Sequence, residues 1–502
     1  MTPSAYDNKK AAMDQIIIEK KLKDLHYRWH FHTYLQWKGI ESPYEKNMYE
    51  GYEDFLDKST LNVISSLTDK TAEKRLKHAF IDHYVKRILT PHENDAYMWM
   101  KGAKAIIGDE AVSMNNIIPW CQKKSTYETR RIMQKETSAL CKFLKKFLIN
   151  YWVVLLDALK ELGYETYTDY CIRKKGIDYP KWYETCVAFL KDTDELYHEV
   201  MGEWCMRRFK NPLNDLTRFD AINILSLVEF DHLYDERPLT EFLSFFSRMG
   251  MDIGKTQGLY PDIENDPAKN SQAMCFPMRI PEEVRIVMRP EGGLVDIETL
   301  AHELGHGLFA AHTPASLPIW EKELAPSQNL SEAFAFLFQN MTFSRPFLHK
   351  YVGLDEKTAE TLYYHKTVKD FALFRRYAAK MASEFEMFET GDMETGARYA
   401  EIMKNATGFY HQPESCLFDL TPEYYCLDYL LGWMGESVIE NRLRNSVGDD
   451  WMFTDKTGAT LMELWKNGNR FDIITFIEER FNTTLSYEPL LNKWISVFNK
   501  GC

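Results

Sequence analysis

Residues Ala301 to Phe309 read AHELGHGLF, and within them His302-Glu303-Leu304-Gly305-His306 forms the pattern H-E-x-x-H. On an α-helix, positions four apart share a face, so both imidazoles can point at one metal ion. Glu303, one position round, reaches a water on that ion without ligating it. This is the arrangement of a zinc site that keeps an open coordination position beside a general base. Thr299-Leu300-Ala301 before the motif and Gly307-Leu308-Phe309-Ala310-Ala311 after it make an apolar surround. There two histidines and a glutamate are costly unless paired or ligated. The spacing predicts a buried helix with Asp296 as its N-cap and Glu298 in its first turn.

Upstream, Met274 to Arg289 (MCFPMRIPEEVRIVMR) alternates β-formers, is split by Pro281 and ends at Pro290-Glu291-Gly292-Gly293. It reads as a hairpin or short edge strands leading directly into the metal helix. An edge strand there can hold a peptide backbone by strand addition; a purely structural hairpin fits the same residues equally well. It is the one strand region the sequence indicates. Leu259 to Asn270 is polar, carries two prolines and reads as a loop. Earlier still the chain reads as successive helices: Ile16 to Trp37 ending at Gly39, Lys74 to Leu89 closed by Thr90-Pro91, and Lys135 to Leu162 stopped by Gly163. After Thr313-Pro314 comes an apolar helix over Leu330 to Met341, and helices continue to the C-terminus. No repeat or low-complexity stretch interrupts them. The expected fold is mainly α: an N-terminal helical half over 1–265 and a catalytic half over 266–502, enclosing a deep cleft, with a small hairpin beside the H-E-x-x-H helix.

A catalytic zinc needs a third protein ligand. His312 has the spacing of the extended H-E-x-x-H-x-x-G-x-x-H motif, but Phe309 stands where that motif needs the glycine that ends the helix. Glu323 lies in a loop between Pro318 and Pro326. Glu332 opens the strongly apolar helix, where a lone carboxylate needs a reason to be present beyond the helix dipole. An antiparallel neighbouring helix would bring Glu332 to the metal, and it is the favoured ligand. His30, His32, His78, His83 and His198 lack ligand spacing with a carboxylate and read as surface or packed histidines. The lysines from Lys142 to Lys146 read as a solvated helix face.

The 502 residues are 45% hydrophobic, enough for a large core, and carry a net charge of −13, which argues against nucleic acid and against an anionic membrane surface. No apolar run is long enough to span a membrane. The N-terminal MTPSAYDNKKAAMDQ has no apolar leader segment. Nine cysteines without C-x-x-C pairs fit reduced thiols and a cytoplasmic protein.

His302-Glu303-x-x-His306, followed by a glutamate in SEAFAF 30 residues after the first histidine, resembles the gluzincin peptidases. Within them it is most similar to the helical-cleft group of thimet oligopeptidase, oligoendopeptidase F, angiotensin-converting enzyme and carboxypeptidase Taq. HELGHGL is close to the thimet and oligoendopeptidase form. The resemblance extends from about Met274 to the C-terminus, and the N-terminal half shares only its helical character. It implies one zinc per chain held by His302, His306 and Glu332, with Glu303 as general base and short peptides as substrates. It also implies an oxyanion-binding tyrosine on a later helix. Thr421-Pro422-Glu423-Tyr424-Tyr425-Cys426-Leu427-Asp428-Tyr429 offers Tyr425 and Tyr429, which share a face, and Tyr424. His411 is a weaker match to a substrate-contacting histidine. The chain departs from the family in three ways: it lacks the H-x-x-G-Y-D lead-in, it lacks the D-x-R-x-T stretch of carboxypeptidase Taq, and it has Phe336 where many gluzincins place an acid that orients a ligand histidine. The orienting partner must therefore come from elsewhere, with Asp296 and Glu323 as candidates. A zinc carboxypeptidase, with Arg279, Arg285, Arg289 or Arg375 taking a terminal carboxylate, and a non-catalytic helical scaffold are the alternative readings.

Overall fold

A computed structural model of the chain describes residues 5–43, 47–234 and 238–500. The first four residues of the stretch read for a leader, and Cys502, lie outside the described residues. In chain order the elements that position the site are α1 (Ala5–Trp37), α2 (Lys70–Gly102), β1 (Lys104–Ile107), β2 (Glu110–Ser113), α3 (Tyr127–Glu161) and α4 (Tyr167–Lys175). After these come β3 (Leu259–Asp262), β4 (Met274–Arg279), β5 (Glu283–Val287), α5 (Leu294–His312), α6 (Asn329–Met341), α7 (Glu356–Thr390) and α8 (Tyr425–Val447). The fold is mainly α, as the sequence indicates, with two small sheets. One buried apolar cluster runs from Ile18 on α1 to Val497 near the C-terminus. None of the helices is long and apolar enough to cross a membrane, among the described residues.

Three local expectations are corrected. The helix expected to close at Thr90-Pro91 continues through Pro91 to Gly102. Leu89 before the proline and Ala96 after it are both buried, and α2 packs along α3; this burial outweighs one missing backbone hydrogen bond. The antiparallel β1–β2 hairpin lies in a region read as wholly helical. Leu259 to Asp262, read as loop, is a strand that pairs in parallel with β5. The three-stranded order is β3-β5-β4, so Pro261 and Pro277 both sit on edge strands, where a missing N–H is tolerated. The predicted hairpin is present, with β4 antiparallel to β5 and an irregularity between Pro277 and Arg279.

The sheet rests on α5, and β4 is covered on its other side by α1. Phe276 and Met278 pack with Tyr34 among the aromatic residues of α1. Side chains alternate along a strand, so Cys275 and Pro277 face the opposite way, toward α5.

Helix α6 lies between α5 and α8, and glycines permit both contacts. A Cβ on Gly305 would sit 2.5 Å from Ala335 Cα and 2.6 Å from Phe334 O; one on Gly432 would sit 2.6 Å from Glu332 Cβ and 3.1 Å from Ala333 N. Backbone cannot retreat from either contact without moving a helix. Gly305→Ala is therefore expected to lower stability by about 1–3 kcal/mol, the usual cost of overpacking a core, read as a lower urea midpoint at unchanged slope.

Candidate metal centre

Helix α5 begins at Leu294, two residues before the expected cap. Asp231 accepts the Leu294 N–H at 3.1 Å, and Asp296 reaches back to accept N–H groups from Glu291 at 3.1 Å and Gly292 at 2.7 Å. Asp296 thus ties the strand-to-helix turn as a residue of the first turn. The C-terminal end comes where the Thr313-Pro314 break places it, with Thr313 as the cap.

The imidazoles of His302 and His306 meet through their Nε2 atoms, 3.2 Å apart. Glu332 Oε2 faces them at 3.4 and 3.7 Å. A tetrahedral zinc with ligands at about 2.0–2.1 Å requires ligand atoms about 3.3–3.4 Å apart, so the three separations fit one ion. His302, His306 and Glu332 are the one such ligand group among the described residues. Glu332 is 1% exposed, and its Oε2 accepts no hydrogen bond. An orphaned carboxylate oxygen in the interior is costly, and a cation among these three atoms satisfies it.

The electrostatics agree. Burial lowers His302 to about 4 and His306 well below its ordinary value, so each imidazole is neutral and keeps a lone pair. Burial raises Glu332 to about 8, against the Tyr425 hydrogen bond that favours ionisation, and raises Glu303 to about 7, against a hydrogen bond from the Cys275 backbone. The protein alone holds both carboxyls toward the neutral form; a divalent cation at this point would supply the charge that ionises them.

The other nitrogens show what orients the rings. His302 Nδ1 lies 2.8 Å from Gln339 Oε1, and His306 Nδ1 lies 2.7 Å from Ser331 Oγ. Neither Asp296 nor Glu323 fills this role, which corrects that expectation. Glu323 is buried in its loop with Lys23 at 3.7 Å, away from the ligand group. No motif marks Gln339 or Ser331, although the sequence holds one signal: Gln339 is the polar residue seven positions after Glu332, on the same face of an otherwise apolar helix. Phe336, where the resemblance leads one to expect an acid, has its ring stacked on Trp433 and edge-on to His302. His312 turns back to Leu308 O at 2.9 Å and packs on Trp465, as expected for a helix that runs past Phe309.

The three tyrosines have separate positions. Tyr425 donates to Glu332 Oε1 at 2.6 Å. Tyr429 lies between Phe336, Tyr377 and Tyr425, close enough to Glu332 and Glu303 for both to raise its pKa further after burial. Its hydroxyl makes no hydrogen bond among the described residues. Tyr424 points elsewhere: its hydroxyl pairs with Thr168 at 3.0 Å, and its ring packs on Tyr167, Tyr179 and Phe388.

The cause is a turn that sequence reasoning missed. Thr421-Pro422 does not open α8; Glu423 and Tyr424 both have positive φ, 57° and 52°, and the helix starts at Tyr425. Two consecutive left-handed non-glycine residues cost about 1–3 kcal/mol each. Buried lysines of α4 hold them. Lys174 binds Glu423 Oε1 at 2.7 Å, and Lys175 binds both Glu423 O at 2.8 Å and Asp428 at 2.7 Å. Tyr377 on α7, stacked against Tyr429, is a further neighbour of Glu332 that the sequence did not flag.

His411 lies by Phe409 O at 3.1 Å and edge-on to Tyr399, outside the ligand group. The arginines considered for a terminal carboxylate are engaged. Arg375 is fully buried and bonded to Leu190, Thr193, Asp194 and Ala406. Arg289 binds Glu291 and Asn116, Arg285 binds Glu283, and Arg279 lies over Tyr27. Eight described cysteines are free, and Cys275 alone among them is not fully buried.

Tyr425→Phe leaves Glu332 Oε1 without its donor, a loss of about 1–3 kcal/mol for a buried acceptor. The expected result is zinc binding weakened about tenfold or more in a chelator competition, with helical content unchanged.

No protein-family model matches the chain, and no curated protein matches its sequence. Among solved structures, a protein of Bacillus anthracis str. Ames assigned as an oligoendopeptidase F aligns with a TM-score of 0.59 and 14% identity. The alignment covers 99% of this chain and 86% of that one. At that identity the likeness is one of fold: this chain has the fold of that protein along nearly its whole length.

Proposed function

We propose that the protein is a zinc-dependent peptidase that hydrolyses internal peptide bonds of short peptides. The observation carrying this reading is the convergence of His302 Nε2, His306 Nε2 and Glu332 Oε2 on one point, with Glu303 on the same helix. The fold shared with a protein assigned as an oligoendopeptidase F supports the substrate class.

His302, His306 and Glu332 would hold the zinc, which when bound would supply Lewis acidity to polarise a carbonyl and bring the pKa of water toward neutrality. The chain's own groups do the rest. Glu303 takes a proton from the attacking water as its oxygen bonds to the scissile carbon, then delivers that proton to the leaving amine as the C–N bond breaks. Tyr429, with a hydroxyl free to donate, stabilises the oxyanion. Tyr425 keeps Glu332 in place. The edge of β4 that does not pair with β5, beside Glu303 through the Cys275 backbone, is where an extended peptide would lie, accepted through the strand's carbonyls.

The test is zinc content together with cleavage of a peptide blocked at both ends. Wild type and Glu303→Gln are expected to bind one zinc each, with turnover reduced about 10²–10⁴-fold in the variant. Wild type that binds no zinc, or a variant that cleaves as fast as wild type, overturns the reading. Tyr429→Phe is expected to lower kcat by about 10²–10³, the usual effect of losing an oxyanion donor, with KM nearly unchanged.

A further inference from the structure

We propose that a buried Lys369–Glu298–Gln339 relay sets the tautomer of His302, so that an amide backed by a remote ion pair does the work of an acid. The inference rests on the metal-centre reading above and concerns residues that touch neither ion nor substrate; they are positioning residues. Glu298 lies one turn before His302 on α5, Gln339 lies on α6 and Lys369 on α7.

The argument is one of donors and acceptors. Lys369 Nζ donates to Glu298 Oε2 at 2.5 Å, and Lys366 lies 3.7 Å from Oε1. A carboxylate paired with lysine only accepts. The Gln339 side chain, 3.2 Å from Glu298 Oε1, must therefore turn its NH₂ toward Glu298. Its oxygen then faces His302 Nδ1 at 2.8 Å and also only accepts. The Nδ1 atom must carry the proton, and the lone pair is left on Nε2, the atom that faces Glu332 and His306. Glu298 and Lys369 are buried, and Gln339 and His302 are half-buried beside them. The direction of each hydrogen bond is dictated from the lysine inward.

A carboxylate in direct contact with Nδ1 would set the same tautomer, but would place a negative charge against the ligand and raise its basicity. Gln339 transmits orientation with a neutral dipole and leaves the charge one residue further back. The ion is then held by rings that are oriented without being made electron-rich.

The test measures zinc dissociation constants by competition with a chromophoric chelator, for wild type, Gln339→Leu, the swap Gln339→Glu with Glu298→Gln, and the charge-balanced double variant Glu298→Gln with Lys369→Met. Gln339→Leu is expected to bind zinc about 10–100-fold more weakly, the usual effect of removing an outer partner. The swap keeps an acceptor at Nδ1 and a donor between the two side chains, moves the carboxylate against the ring, and is expected to bind zinc at least as tightly as wild type. The double variant leaves the amide free to flip and is expected to weaken binding about tenfold. Thermal unfolding of each chain gives the folded fraction used in the fit. Equal affinities for wild type and folded Gln339→Leu overturn the relay, as does an equal loss in Gln339→Leu and the swap, which would mean that packing alone matters. If Gln339→Leu does not fold, wild-type affinity in the double variant overturns it instead. Wild type that fails to bind zinc is a different result, and defeats the metal-centre reading itself.

Discussion

The approach of three helices to backbone distance at two glycines governs this structure. Gly305 admits Phe334 and Ala335 of α6 against α5, and Gly432 admits Glu332 and Ala333 against α8. With any side chain at those positions, α6 would stand off, and Glu332 would move away from the two imidazoles. The glycine inside the H-E-x-x-H motif therefore has a packing task that its neighbours' chemistry conceals. Close-packed interiors transmit such displacements without absorbing them, so the metal geometry is a consequence of helix packing.

The second constraint is charge. Two neutral imidazoles and two carboxyls held toward neutrality occupy a space from which water is largely excluded. Around them are buried ion-pair networks: Lys366 and Lys369 with Glu298 and Asp370, and Lys174 and Lys175 with Asp82, Glu423 and Asp428. Ser327, in the loop ahead of α6, completes the second group by donating to Asp428 at 3.0 Å. Removing one partner of a buried pair typically costs about 3–5 kcal/mol. These networks therefore hold their helices in register. One orients His302; the other holds a strained turn so that Tyr425 begins α8 facing Glu332.

Much of this was legible in the chain. HELGH on an apolar helix marked His302 and His306 as candidate ligands and Glu303 as a candidate base, because helical periodicity alone brings them to one side. Glu332 was legible for a weaker reason, a carboxylate without a local role in SEAFAFLFQNM. The hairpin from Met274 to Val287 followed from alternation and turn residues. The misses share one cause. Pro91 and Pro261 look like breaks along the chain, but burial of α2 and an edge position for β3 tolerate them. Asp296 was read as a cap because local spacing allowed it, whereas Asp231, distant in sequence, meets the helix end.

The sequence by itself determined which residues can bind a metal, and that the body around them is helical, since both follow from composition and spacing along a single element. Tertiary structure alone decided that Glu332 and neither Glu323 nor His312 meets the histidines, and that Gln339 and Ser331 orient the rings. It alone separated the roles of Tyr424, Tyr425 and Tyr429. Each of these depends on the distance and rotation between helices. Those are set by glycine contacts and buried ion pairs between residues remote in sequence, and no periodicity within one helix encodes them.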